Sequence, residues 1–118
     1  MSENLKSELI AVGVDYDSAL DRFMGKEALY QKFLIKFLDD KNFANLEECM
    51  NAKDAKEAFK CAHTIKGLSG NLGLNNLSDA IVPLVETLRK ENLEGTDEMF
   101  EELKKVYTAI CNVICKYK

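Results

Sequence analysis

The sequence predicts an all-α protein: an up-and-down antiparallel four-helix bundle with one or two short additional helices at its N-terminal side. Only one proline and six glycines occur among the 118 residues. Apolar residues recur at three- and four-residue steps, the period of an amphipathic helix, and no segment alternates apolar and polar residues over the length of a convincing strand. Because the connections between helical segments are short, neighbouring helices are expected to be antiparallel.

The length indicates one domain over residues 1–118, with the bundle core at about 26–116. Hydrophobic residues make up 47% and charged residues 31%, which is ordinary globular composition. A net charge of −4 without a Lys/Arg cluster excludes nucleic acid as an expected partner. The N-terminal MSENLKSELI is too charged for a signal peptide, and no run of about 18 apolar residues occurs. We expect a cytoplasmic protein without a membrane partner, monomeric by default.

The first two predicted helices have clear boundaries. Asp15 or Asp17 caps a short helix that Gly25 ends. The second helix extends from Lys26 to about Asp40 and shows the strongest amphipathic pattern of the chain. Its apolar residues are Leu29, Tyr30, Phe33, Leu34, Phe37 and Leu38.

A polar break at residues 39–42 precedes a third helix, which carries Phe43, Leu46 and Met50 and closes near residues 51–53. Asp54 is the predicted cap of a fourth helix, through the segment DAKEAFKCAHTIKGLSGNLG. His63 lies on the flank of its apolar side. That side consists of Ala55, Ala58, Phe59, Ala62, Ile65 and Ser69, with Leu72 near the end.

Two further helices complete the bundle. Asn75 or Asn76 begins the fifth, and Pro83 within it predicts a kink or a broken first half, because proline removes one backbone donor and crowds the preceding turn. Thr96 is the predicted cap of the last helix.

Four cysteines, at positions 49, 61, 111 and 115, fall within helix-like apolar patterns and are interpreted as reduced core thiols. Cys111 and Cys115 are one helical turn apart and lack a second pair of ligands. We therefore predict no metal site.

The only histidine has an unusual helical neighbourhood. Glycine inside a helix costs up to about 1 kcal/mol relative to alanine, so Gly67 and Gly70 oppose helix formation unless a bare surface is needed beside His63. Such a surface lets the active site of another protein reach the ring. The residues three, four and seven positions from His63 are Phe59, Lys60, Lys66, Gly67 and Gly70.

Lys66 places a flexible cation one turn from His63, suited to an anionic group carried on a ring nitrogen. Imidazole is itself a suitable phosphoryl carrier, because its neutral form keeps a lone pair free for nucleophilic attack.

The segment from His63 to Gly73, HTIKGLSGNLG, resembles the motif of the histidine phosphotransfer (HPt) domains of two-component phosphorelays, in which His-x-Leu-Lys-Gly is followed by small residues and by an apolar residue with Gly. The stretch GVDYDSALDRFMGKEALYQKFLIKFLDD is similar to the usual N-terminal opening of that family. The resemblance therefore covers nearly the whole chain.

The resemblance implies that His63 is the phosphoacceptor, that Lys66 stabilises the phosphoryl group, and that Gly67 and Gly70 keep the approach open. It implies a response-regulator receiver domain, a hybrid histidine kinase or both as partners, with the receiver supplying the aspartate and Mg²⁺. The domain itself is expected to bind no cofactor and to lack ATP-dependent kinase activity. An apolar patch that includes Ala62 and Leu68 is expected to dock the receiver.

One position departs from the family pattern. Many members carry Glu or Gln 22 residues after the histidine, to hydrogen-bond the ring, and Val85 stands there in this chain. Either Glu86, one place later, reaches the ring through a shift at Pro83, or water or backbone orients His63.

Two other classes of function are considered. A degenerate docking module would bind a receiver or kinase without phosphoryl transfer. A hydrolase using His63 as general base is disfavoured, because no serine or cysteine nucleophile with an orienting carboxylate is evident and Ser69 is interpreted as a small packing residue.

Overall fold

The computed structural model describes residues 2–118, and over that range the chain is all-helical, as predicted. A helix α1 precedes the segment that the sequence indicates as the first element. Its apolar pattern is sparse, since Leu5 and Leu9 are buried whereas Ile10 is 49% exposed. The helices are α1 (Ser2–Ala11), α2 (Tyr16–Arg22), α3 (Glu27–Leu38), α4 (Asn42–Asn51), α5 (Ala55–Leu72), α6 (Asn75–Arg89) and α7 (Thr96–Lys116).

Helices α3 and α4 together form one side of the four-helix bundle, antiparallel to α5. At the start of α3, the hydroxyl of the buried Tyr30 donates a 2.6 Å hydrogen bond to the carbonyl of Leu72 at the end of α5. At the other end, α4 leads directly into the start of α5. Between them, Asp40 Oδ1 accepts a 2.9 Å hydrogen bond from the backbone N–H of Asn42 and ends the first half.

The remaining sides of the bundle are α5, α6 and α7, packed in sequence. Phe43 at the start of α4 closes the bundle against α7, because its ring stacks on those of Tyr107 and Phe100 with centroid distances of 4.0 and 5.3 Å. Lys104 Nζ lies 2.9 Å from Glu47 Oε2 across the same contact. Aromatic stacking therefore joins the third predicted helix to the last.

The helix boundaries confirm most of the predicted caps. Asp15 and Asp54 each accept a hydrogen bond from a backbone N–H three residues later, at the starts of α2 and α5. The prediction for Thr96 was wrong: the cap of α7 is Gly95, with a φ of +75°. Thr96 is buried, and its hydroxyl donates to the carbonyl of Leu93 at 2.7 Å instead of capping the helix.

Helix α6 continues without a break through Pro83, so the alternative of a broken first half was wrong. The proline is exposed, whereas Leu84 and Val85 are fully buried. The ring thus lies on the solvent side of α6, where the carbonyl of Asp79 that loses its helical N–H donor is on the accessible face. The hydroxyl of Thr87 donates to the carbonyl of Pro83 at 2.9 Å.

The first two helices are attached to both ends of the bundle sequence. The N–H of Asp15 donates to the carbonyl of Gly73 at 2.8 Å, and Lys116 Nζ pairs with Glu8 Oε1 at 2.6 Å. A Cβ at Gly73 would lie 2.7 Å from the carbonyl oxygen of Asp15 and 2.8 Å from the Cβ of Ala19. Because its φ is +72° as well, Gly73 is needed for the close approach of α2 to the end of α5.

Three of the cysteines agree with the interpretation as packed thiols. Cys49, Cys61 and Cys111 are half-buried, and burial is the largest cause that raises the pKa of the Cys61 and Cys111 thiols. Cys115 is exposed, so its assignment to the core was wrong: in the last turn of α7 it follows the buried Val113 and Ile114 and faces outward.

Candidate functional site

Helix α5 presents His63 to solvent because of its position relative to the buried stripe. Ala62 and Ile65 on either side of it are buried at 0% and 1% exposure, and each residue of a helix is rotated by about 100° from the one before. His63 is exposed as a result. Ser69 lies on the buried stripe, and its hydroxyl donates to the carbonyl of Ile65 at 2.7 Å, in agreement with a packing role.

An open depression of about 460 Å³ lies beside the histidine on the exposed face of α5. The α5 residues that line it are separated by three, four, seven and eight positions from His63, which places them on one face of the helix. None of the lining residues is acidic. They are Arg22, His63, Lys66, Gly67, Gly70 and Asn71.

Gly67 and Gly70 leave the floor of this depression bare, as the sequence predicts. A Cβ at either glycine would meet no described atom within 4 Å beyond the adjoining backbone of α5. Packing within the described part of the chain therefore places no demand for glycine at these positions, unlike at Gly73. The bare surface is available to a molecule outside the chain.

Lys66 is half-buried and lines the depression with His63. Among residues 2–118, no carboxylate forms an ion pair with Lys66, whereas the exposed Lys60 is paired with Glu57 at 3.3 Å. The Lys66 ammonium group is therefore available to an external anion, and Lys60 has the character of a solvated surface residue.

The ring of Phe59 is the described contact of the His63 ring. Their centroids lie 5.7 Å apart with an interplanar angle of 41°. On its other side, Phe59 has the guanidinium carbon of Arg89 5.0 Å from its centroid, a cation–π geometry. Sequence reasoning assigned Phe59 to the ordinary core; its half-buried position and the i, i+4 spacing to His63 give it a second role, as a support for the ring.

The described structure does not bear out Glu86 as the residue that orients His63. Its carboxylate lies 3.6 Å from Arg89 Nε, one turn later on α6, and no hydrogen bond joins it to His63 among the described side chains. Val85 is fully buried, so it occupies a core position and supplies no polar group to the ring. The physical reason is that α6 continues straight through Pro83, without the shift that would bring Glu86 to the imidazole.

The two apolar residues predicted for docking differ in accessibility. Ala62 is fully buried, so the expectation that it contacts a partner directly was wrong. Leu68 is half-buried and lines a groove of about 130 Å³ between α3 and α5, next to the depression. The groove includes Phe33, which is 38% exposed, and shares Asn71 with the depression beside His63.

Arg22 is a site residue that sequence reasoning missed. It lies in the last turn of α2, and its Nη1 donates to the carbonyl of Asn71 at 3.3 Å, which brings it to the depression of His63. No local sequence signal connects residues 49 positions apart; only the packing of α2 against α5 does so.

The described residues contain no cluster of three or more His, Cys, Asp or Glu side chains that could hold a metal ion. None of the helices in the described range is long and apolar enough to cross a membrane.

Comparison with known families gives one match. Residues 29–113, most of the chain, match the family model of the Hpt domain. Comparisons with curated proteins and with solved structures gave no significant match.

Proposed function

This chain belongs to the Hpt domain family, the histidine phosphotransfer modules of phosphorelays, and on that premise we propose that His63 accepts a phosphoryl group and exchanges it with an aspartate of a response-regulator receiver domain. The observation that carries the proposal is the bare surface beside His63. Gly67 and Gly70 leave open a space that no described part of this chain fills, next to an unpaired lysine. The arrangement suits close approach by another domain's active site.

The transfer step needs only a nucleophilic ring and a positioned donor. The lone pair of one ring nitrogen attacks phosphorus, an N–P bond forms, and the P–O bond to the aspartyl phosphate breaks. The aspartate carboxylate leaves with the bonding electron pair. Because His63 is exposed, the proton on its other ring nitrogen can be released to water.

The side chains around the ring have separate tasks in this proposal. Lys66 stabilises the phosphoryl oxygens through charge-assisted hydrogen bonds. Phe59, held against Arg89, limits the rotation of the His63 ring so that the reactive nitrogen faces the depression. The receiver supplies the aspartate and Mg²⁺, and this domain supplies neither a cofactor nor ATP-dependent kinase activity.

The groove that contains Leu68 and Phe33 is the proposed apolar part of the docking surface. It adjoins the depression through Asn71, so a domain seated over His63 also covers the groove. A hybrid histidine kinase is the second proposed partner, through its own receiver domain. We expect the free chain to be monomeric and cytoplasmic.

Incubation of the chain with radiolabelled phosphorylated receivers and kinases from its source organism tests the proposal. We expect an acid-labile, base-stable label on the wild-type chain and none on His63→Gln. A wild-type chain that takes no label from any of these donors would contradict phosphoryl transfer.

A docking module without phosphoryl transfer is the second candidate, because the same bare surface and groove serve binding alone. His63→Gln separates the two candidates. A docking module keeps its signalling output with glutamine at this position, whereas a phosphocarrier loses it.

A further inference from the structure

We propose that Arg22 is a docking residue of the phosphotransfer site, which binds anionic groups on the partner face that covers His63. This inference rests on the proposed function and deepens it by defining the chemistry of the partner surface. Arg22 precedes residues 29–113, the part of the chain that matches the family model. It belongs to α2, which otherwise packs against the bundle.

The guanidinium is fixed at the site but mostly unused by the fold. Its single described hydrogen bond is the 3.3 Å contact from Nη1 to the carbonyl of Asn71. A guanidinium has five N–H donors. Within residues 2–118 no carboxylate pairs with Arg22 and no second acceptor binds it, which leaves four of these donors for an external group.

The position of Arg22 follows from rigid packing. Asp15, at the start of α2, donates its N–H to the carbonyl of Gly73, and Gly73 admits α2 to close contact because it lacks a Cβ. Both ends of α2 are thereby attached to the last turn of α5. The guanidinium is placed before a partner arrives, so little conformational entropy remains to be lost on binding.

The charge around the depression selects the chemistry of the partner. The chain has a net charge of −4, yet the residues that line this depression include Arg22 and Lys66 and no carboxylate. An aspartyl phosphate, the donor in the proposed reaction, is itself an anion. A cationic rim on an acidic protein therefore favours an anionic partner face, and increases the rate of encounter more than the rate of the chemical step.

The test compares Arg22→Gln with the wild-type chain at 50 and 300 mM NaCl, using a phosphorylated receiver domain that transfers to the wild type. We expect kcat/KM to fall about three- to tenfold at low salt with the maximal rate changed less than about twofold, and the difference to shrink at high salt. Phosphoramidate, a small donor that needs no docking, should label both proteins at equal rates.

Two further variants separate a docking role from a structural one. Lys105→Gln removes the same charge from the outer face of α7 and should transfer within about twofold of wild type. Arg22→Lys keeps the charge and should recover at least half of the lost rate. Urea unfolding of each variant confirms that every rate is measured on folded protein.

Transfer by Arg22→Gln that equals transfer by Lys105→Gln at both salt concentrations would overturn the docking role while leaving the proposed function intact. Equal slowing with phosphoramidate would also overturn it, because Arg22 would then act on His63 itself. A wild-type chain that neither the receivers nor phosphoramidate label would remove the proposed function, and this inference with it.

Discussion

The rings of Phe59 and His63 lie 5.7 Å apart, one turn from each other on the exposed side of α5. The phenylalanine is held in turn by Arg89 of the neighbouring helix α6. This contact places an apolar surface where a polar partner for the imidazole was expected. The ring is therefore positioned by packing, and the residues around the depression remain free for the phosphoryl group.

Replacement of Phe59 by leucine should slow phosphotransfer. An aromatic pair contributes about 0.5–1.5 kcal/mol beyond buried area, so single-turnover transfer from a phosphorylated receiver should fall about two- to tenfold. Phe33→Leu, which removes a ring at a distance from His63, provides the control for general loss of aromatic packing. Equal single-turnover rates for Phe59→Leu and wild type would contradict the positioning role.

Glu86→Gln should leave transfer within about twofold of wild type, because its carboxylate faces Arg89 at 3.6 Å in an exposed ion pair and such pairs contribute little. The measurement is the same single-turnover assay. A loss larger than about tenfold would show that Glu86 reaches the His63 ring during the reaction.

Alanine at Gly67 or Gly70 should stabilise the chain and impair its function. Each replacement improves helix propensity by up to about 1 kcal/mol and meets no described atom within 4 Å. Urea unfolding should show the gain, while transfer from a receiver falls because the added methyl groups obstruct the approach.

Gly73→Ala is the matched comparison, and it should destabilise the protein. The residue has a φ of +72°, and its Cβ would lie 2.7 Å from the carbonyl oxygen of Asp15. If all three alanine variants changed stability in the same direction, the distinction between a functional and a structural glycine would be wrong.

Lys66→Gln should slow transfer at least about tenfold, since a hydrogen bond to a charged group contributes about 1.5–3 kcal/mol. Lys60→Gln removes an equal charge from a lysine already paired with Glu57 and should have little effect. The comparison uses initial rates with one phosphorylated receiver. Equal rates for the two variants would exclude a specific role for Lys66.

Tyr30→Phe should destabilise the chain by about 1 kcal/mol, since the buried carbonyl of Leu72 loses its 2.6 Å hydrogen bond. Burial, with a smaller effect of Tyr16, raises the pKa of Tyr30 well above its ordinary value of 10.0. The folded state thus disfavours the phenolate. The stability that this shift contributes is complete below pH 10 and decreases as the pH rises above it, because the unfolded chain ionises first.

Urea unfolding between pH 8 and pH 11 measures this effect. The wild type should lose stability above pH 10 more steeply than Tyr30→Phe. Parallel pH profiles would show that Tyr30 does not contribute to the alkaline loss.

Much of the helical order could be predicted from the sequence because its signals are local. The apolar period from Leu29 to Leu38 and the caps Asp15 and Asp54 depend on residues within one or two turns, and each agrees with the structure. The cap of α7 could not be separated from its neighbour in the same way. Gly95 and Thr96 are both plausible caps, and burial of Thr96 against Leu93 decides between them.

The sequence by itself determined His63, Lys66, Gly67 and Gly70 as one group, because helical spacing alone places these four residues on one face of α5. Only the tertiary structure decided what surrounds that face. Arg22 reaches it from 49 positions before Asn71, and Arg89 supports Phe59 from another helix. Contacts between helices depend on how their buried faces pack together, and that packing has no counterpart in the spacing of residues along a single helix.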